Sequence, residues 1–291
     1  MVGVVDIGTN SMRLLITDGE TELGRWVEVT GLGQGLDASG ALSEEAMVTT
    51  IQVLEKYGRT MHQHAVENRL AIATSASRDA ANRDVFFDRA ERALGVRPTL
   101  ISGETEGRYA FAGATSDLQL EPPIVVTDIG GGSTEFVTAD LVQSVDAGTV
   151  RLGDRALPHR PPTQSELEVA RSILNDQFGS VGADDVGSHV GVAGTWTSLA
   201  AIALGLDTYD RDTVHGSRLT IESLDGLIAR LSTLTMEETR HVPGLDPKRA
   251  PVILPGAIIA KAVMEKLVVE ETIVSERDTL DGAAMELIGI A

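Results

Sequence analysis

The chain has 291 residues, no cysteine, and a formal charge of −19 from 24 basic and 43 acidic side chains. That length suits two domains or one large one, and the missing cysteine excludes a disulfide scaffold, a thiolate zinc site and a cysteine nucleophile. The acidic balance argues against coating nucleic acid or docking on an anionic membrane, both of which need a basic field.

The first residues, MVGVVDIGTN, have no basic start, and Asp6 falls where a secretory signal would be apolar, so they do not read as a leader. Residues 4–16, VVDIGTNSMRLLI, show an apolar run, an Asp, a glycine-containing turn and a second apolar alternation. The pattern predicts a β-hairpin whose turn uses glycine for positive φ. Ser43 caps a predicted helix with Glu44 and Glu45 in its first turn and Met47, Ile51, Leu54, Met61 and Ala65 at helical spacing. Leu70–Thr74 reads as a buried strand. Asn82 is placed as the cap of a second helix carrying Val85, Phe86, Ala90 and Leu94. A short strand over Thr99–Ile101 leads to Ser102, which caps a helix through Glu106, Ala110 and Ala114. The Pro pair in EPP, residues 121–123, is taken as a domain boundary.

Beyond it, residues 126–138, VTDIGGGSTEFVT, repeat the opening hairpin at an offset of 122 residues, with Asp6, Ile7, Gly8 and Ser11 matched by Asp128, Ile129, Gly130 and Ser133. Strands are expected near 124–128, 134–139, 142–148 and 268–274. Helices are expected at 164–177, 196–205, 221–233, 249–265 and near 280–289. The stretch 186–206 contains no Asp, Glu, Lys or Arg and is long enough to span a bilayer, but its glycines, serines and threonines favour a strand, a turn and a buried helix. With no membrane span expected, the chain reads as cytoplasmic. Alternating strands and helices give an α/β class, and the echo suggests a duplicated fold with one hairpin from each half.

Asp6 and Asp128 end strands beside small-residue turns, an arrangement suited to a hard divalent cation with phosphate: carboxylate oxygens for the metal, backbone amides for the phosphate. Gly8, Thr9, Asn10 and Ser11 supply the first turn; Gly130, Gly131, Gly132 and Ser133 supply the second. Ordinary turn chemistry explains each turn taken singly. Arg78, among small polar residues after a strand, is either a phosphate-binding guanidinium or a surface partner of Asp79. Glu104 and Glu106 in a first helical turn are ordinary dipole partners, though a strand-to-helix junction also suits a general base. Gly194 and Thr195 either bind phosphate at a helix N-terminus or simply cap that helix. Local positive balances occur around Arg151, Arg155 and Arg160, and around Lys248, Arg249, Lys261 and Lys266.

Together VVDIGTNSMRLLI, ATSASRDAAN, ISGETEGRYAF, VVTDIGGGSTEFV, GVAGTWTSLAA and PGLDPKRAPVILPGAIIA resemble the Ppx/GppA family of exopolyphosphatases and guanosine pentaphosphate phosphohydrolases, in family order over residues 4–260. The resemblance implies an actin-like (ASKHA) fold of two ribonuclease-H-like domains with an interdomain cleft. The domains are placed at 1–122, with the last helix (about 279–291) as a candidate completing element, and at 123–278. It also implies Mg²⁺-assisted release of terminal phosphate from inorganic polyphosphate or from pppGpp. The family's water-activating base falls on Glu106, its phosphate-contacting arginine on Arg78, its metal-site acids on Asp6, Asp128 and Glu135, and its phosphate-contacting positions on Asn10, Gly131, Gly132 and Ser133. Ser11, Gly130, Gly194 and Thr195 join the phosphate-binding set from their turns.

Polyphosphate leads pppGpp because only 3% of residues are aromatic, leaving no evident guanine-stacking set. A non-catalytic phosphate- or alarmone-binding module and a sugar kinase are the competing classes. Neither nucleic acid nor membrane is expected as a partner; family members are often homodimers. One departure stands out: in SERDTLDGAAMEL, residues 275–287, Leu280 and Asp281 occupy positions where the family has Arg-Glu.

Overall fold

The computed structural model describes residues 1–182 and 185–289. The chain forms two compact units, Met1–Gly113 with Thr279–Ala291, and Ala114–Asp278.

In the first unit five strands, β1 (Val2–Ile7), β2 (Ser11–Thr17), β3 (Glu22–Val29), β4 (Asn68–Ala73) and β5 (Thr99–Leu100), form one sheet in the order β3-β2-β1-β4-β5. β1 runs antiparallel to β2 and parallel to β4, and β4 runs parallel to β5. Every residue of β1 is buried, as expected for a central strand covered on both faces. Alternate residues feed two cores. Val5, Ile7, Leu14 and Ile16 pack with Leu54, Tyr57 and Met61 of helix Glu44–Gln63 and with Phe86, Ala90 and Leu94 of helix Arg83–Leu94. Val2, Val4, Leu15 and Ile72 pack on the opposite face with Leu280, Ala283 and Ala284 of helix Thr279–Ile288, beside Tyr109 of helix Gly103–Ala114. Leu280 is therefore core, and Asp281 accepts a bond from Arg25 at 2.6 Å. That gives both departing residues a structural role.

The second unit has β6 (Ile124–Ile129), β7 (Thr134–Val137), β8 (Val142–Val145), β9 (Ser188–Val192), β10 (Arg218–Thr220) and β11 (Glu271–Val274), ordered β10-β11-β9-β6-β7-β8. Read from β8, this repeats the first sheet strand for strand and adds β10 antiparallel on the far edge. Two copies of this ribonuclease-H-like sheet establish the duplicated, actin-like α/β class expected from the sequence.

His189, the second residue of β9, lies between Thr127 of β6 and Thr272 of β11. Its ring nitrogens bond their hydroxyls at 2.9 and 2.8 Å. Burial pushes its pKa down to about 3, so the ring is neutral and acts as a cross-sheet polar strut. Helix Ala250–Leu267 contains Pro255, which cannot donate to the carbonyl of Pro251 four residues earlier. Arg160 Nη2 donates there instead, at 3.0 Å.

Several elements depart from the sequence reading. Ser43 caps its helix through the Ala46 amide as expected, but Asn82 makes no cap. Its side-chain amide instead bridges the backbone N–H and C=O of Leu42, both at 2.9 Å. The helix from Glu44 stops at Gln63, and Ala65 has φ 50°. The strand expected at 268–274 begins only at Glu271, because Val268 is a left-handed helix cap. β3 and helix Thr149–Ala156 were not anticipated. The span 186–206 is strand β9 followed by helix Ala193–Ala203, and no helix among the described residues is long and apolar enough to cross a membrane.

Candidate active site

In each unit the chemistry-bearing residues gather at the carboxyl ends of the parallel strands, where open α/β sheets bind their ligands. In the first unit, Ile7, Ala73 and Leu100 are aligned across β1, β4 and β5. The segments that follow them carry, respectively, the 8–11 turn, Arg78 and Glu106.

Helix Gly103–Ala114 begins after β5. Ser102 Oγ accepts from the Thr105 amide at 3.1 Å, and Ser102 O accepts from the Glu106 amide at 3.0 Å. Capping thus fixes the turn on which Glu106 sits. Arg78 Nη1 donates to Glu106 Oε2 at 3.1 Å and to Ile101 O at 2.9 Å. The two glutamates of this turn separate clearly. Glu104 makes an exposed surface pair with Arg108 at 2.6 Å, whereas the Glu106 side chain is only 12% exposed and held by Arg78. Arg78 therefore reaches across to the base candidate.

The 8–11 turn is tied down from its carbonyl and hydroxyl side. Thr9 O accepts from Gly33 N at 2.8 Å, Asn10 O from Thr30 N and Gly31 N at 2.9 Å each, and Thr9 Oγ1 from Ala76 N at 3.2 Å. Among the described residues, no protein acceptor takes the amide hydrogens of Thr9 and Asn10. Asn10 and Ser11 are both half-buried. Gly8 does not have the positive φ expected of it. Its requirement is proximity, since a Cβ there would lie 2.8 Å from Ser11 O. Asp6 is almost wholly buried and faces Arg13 in register across β1 and β2; Arg13 Nε donates to Asp6 Oδ2 at 2.9 Å. A guanidinium thus stands beside the carboxylate that was assigned to a metal. Arg13 went unremarked in the sequence, though its position was readable as the 122-residue counterpart of Glu135.

The second unit repeats the hairpin with different chemistry. Gly130 N bonds Ser133 O at 2.9 Å, matching Gly8 N to Ser11 O at 3.1 Å. Gly130 also lacks positive φ, and a Cβ there would lie 3.3 Å from Ser133 O. The start of helix Thr149–Ala156 donates into the turn: Thr149 N to Gly130 O at 2.9 Å, and Val150 N to Gly131 O at 2.8 Å. With their carbonyls held from behind, the amides of Gly131, Gly132 and Ser133 have no protein acceptor among the described residues. Gly148 has to be glycine, because a Cβ would fall 2.3 Å from Gly131. Asp128 and Glu135 face one another in register across β6 and β7, at 4% and 1% exposure. Ser144 Oγ donates to Glu135 Oε1 at 2.7 Å.

Thr195 does not cap helix Ala193–Ala203. Its hydroxyl donates to Ile129 O at 2.8 Å, joining this turn to the end of β6. Gly194 packs on Arg249, whose Nη1 would be 2.1 Å from an added Cβ. Ala193, just before it, has φ 65°. In the sequence Arg249 stands out only as one charge of a basic segment.

Among the described residues, no group of three or more His, Asp or Glu side chains is placed to hold a metal. The paired carboxylates of Asp128 and Glu135 still fit Mg²⁺, which binds through one or two carboxylates and completes its shell with water and phosphate oxygens.

A model of the Ppx/GppA phosphatase family matches residues 16–288. Exopolyphosphatase 2 of Mycobacterium tuberculosis is 36% identical over 99% of this chain and 98% of its own length. Among solved structures, an exopolyphosphatase-like protein superposes with a TM-score of 0.93 at 32% identity, over 98% of both chains. The Ppx/GppA enzyme of Aquifex aeolicus superposes with a TM-score of 0.81, also at 32% identity and over 98% of both chains.

Proposed function

We propose that this chain, which belongs to the Ppx/GppA phosphatase family, is a Mg²⁺-dependent exopolyphosphatase that releases terminal orthophosphate from inorganic polyphosphate. The observation that carries the reading is the Arg78–Glu106 pair at the ends of β4 and β5, a shielded carboxylate oriented by a guanidinium. Phosphoryl transfer asks the protein mainly for an aligned nucleophile and stabilised charge.

In this reading Glu106 accepts a proton from the attacking water, whose oxygen bonds to the terminal phosphorus as the bridging P–O bond breaks. The shortened chain leaves with the electron pair. Arg78 Nη1 is committed to Glu106 and Ile101, and the remaining donors of its planar fork suit phosphate oxygens. The amides of Thr9 and Asn10 in one turn, and of Gly131, Gly132 and Ser133 in the other, act as anion donors. Asp128 and Glu135 would hold Mg²⁺, which when bound neutralises phosphate charge. Asp6 is assigned to positioning Arg13, and Ser144 to positioning Glu135. Gly194, Thr195 and Arg249 form a further phosphate-binding turn.

The test is phosphate release from polyphosphate and from pppGpp, side by side, with Mg²⁺ and with EDTA. Polyphosphate should be the better substrate, and chelation should stop release. Glu106→Gln should retain binding and lower kcat by about 10²–10⁴-fold, the range for losing a general base. Unchanged turnover in that variant would remove Glu106 from the role; faster release from pppGpp would reassign the substrate.

A further inference from the structure

Helices Glu44–Gln63 and Arg83–Leu94 pack closely where Gly58 meets Ala93; a Cβ on Gly58 would sit 2.2 Å from Ala93 O. On their outer side the pair forms an open groove of about 660 Å³. We propose that this groove is a second anion site, separate from the Glu106 machinery, and that it holds a distal segment of a polyphosphate chain.

Placement sets it apart from the catalytic residues. Both helices cover one face of the first sheet, while helix Gly103–Ala114, which carries Glu106, lies with the core of the other face. Charge is the second observation. Arg59, Arg89 and Arg92 line the groove with His62, against the single lining acid Glu55, in a chain whose formal charge is −19. Of the neighbouring acids, Asp88 and Glu91 are taken by Arg97 at 2.7 and 2.9 Å, while Glu44 pairs with the groove's own Arg89 at 2.6 Å, so the free charge rests on the other two arginines. Arg59 and Arg92 make no ion pair among the described residues.

Spacing is the third. Arg59 and His62 on one helix, and Arg89 and Arg92 on the other, are each three residues apart. At about 1.5 Å rise per residue, each pair is about 4.5 Å apart along its helix, which gives two rows of donors flanking one trough. Guanidinium forks match phosphate oxygens. No Phe, Tyr or Trp lines the groove, so it lacks the large stacking platform that single-stranded nucleic acid uses. An unadorned phosphate chain fits better.

The identity of the ligand rests on the exopolyphosphatase reading; the groove's affinity for anions does not. The experiment measures binding of labelled long-chain polyphosphate to the full chain in EDTA, where metal-bridged recognition is weakened. It compares wild type, R59E/R92E and the charge-keeping R59K/R92K, and measures tripolyphosphate turnover with Mg²⁺ in parallel. Charge reversal should weaken long-chain binding about tenfold, as expected for losing several partly exposed charge contacts. It should also flatten the salt dependence, while R59K/R92K stays close to wild type and tripolyphosphate turnover is unchanged in both. Equal affinity of R59E/R92E and wild type for long chains overturns the proposal. So does an equal loss on tripolyphosphate turnover. If wild type binds long chains through these arginines yet releases no phosphate, the groove stands and the hydrolase reading falls.

Discussion

His189 gives the second unit a built-in sensitivity to acid whose size follows from its surroundings. The ring is buried, bonded on both sides by Thr127 and Thr272, and stacked edge-on against Trp196 at 5.5 Å. In the unfolded chain a histidine titrates near 6.5; here burial lowers it to about 3. A depressed folded value means that the unfolded state binds the proton more readily. The neutral ring's contribution is therefore complete above about pH 6.5 and is lost progressively as the pH falls toward 3. Between pH 7.5 and 5.0 the loss is about 2 kcal/mol, at about 1.36 kcal/mol per pH unit below the unfolded value. The assay is urea unfolding of wild type and His189→Gln at a series of pH values, in a Trp26→Phe background so that fluorescence reports Trp196. The variant should be less stable at pH 7.5, and the gap between the two proteins should shrink by about 2 kcal/mol by pH 5.0. Parallel stability curves would mean that His189 is protonated in the fold or exposed to water, and the reasoning would fail.

Glu135→Arg should convert the second hairpin to the pairing of the first, setting a guanidinium against Asp128 as Arg13 sits against Asp6. The expected outcome is a folded protein whose stability no longer responds to Mg²⁺ and whose phosphate release is abolished, read by thermal unfolding with and without EDTA and by phosphate assay. Gly282→Ala should destabilise by about 1–3 kcal/mol or more through overpacking, because its Cβ would lie 2.0 Å from the backbone oxygen of Tyr109. An unchanged Tm would show that the helices can separate there freely.

The parts of the fold that could be read from the sequence are those set by local chemistry. The hairpins at β1–β2 and β6–β7, the Ser43 and Ser102 caps, and the buried helix after β9 all follow from short-range patterns. What escaped was decided by distant partners. Asn82 resembles a cap, but a backbone segment 40 residues away claims its amide. β3 is an edge strand with no fully buried residue, so it leaves little apolar alternation to detect. Helix Thr149–Ala156 is short, contains Gly153, and starts by donating into the glycine turn rather than to its own cap. At the site, residue types were legible but pairings were not. Nothing local indicates that Arg78 reaches Glu106, 28 residues on, or that Arg249 packs on Gly194.

The duplication sets different partners opposite the two hairpin aspartates. The 122-residue offset carries Val2–Ile7 onto Ile124–Ile129, and the same register sets Asp6 opposite Arg13 and Asp128 opposite Glu135. One position thus decides the electrostatics of each copy. Opposite a guanidinium, a buried aspartate has its charge balanced by the chain itself. In the second copy two buried carboxylates face each other instead, the arrangement on which the proposed Mg²⁺ site rests. The first copy therefore neutralises its buried aspartate with an arginine of its own hairpin. On the proposed function, a divalent ion held by the second pair would add stability to that hairpin, and the Mg²⁺ response of Glu135→Arg reads that coupling directly.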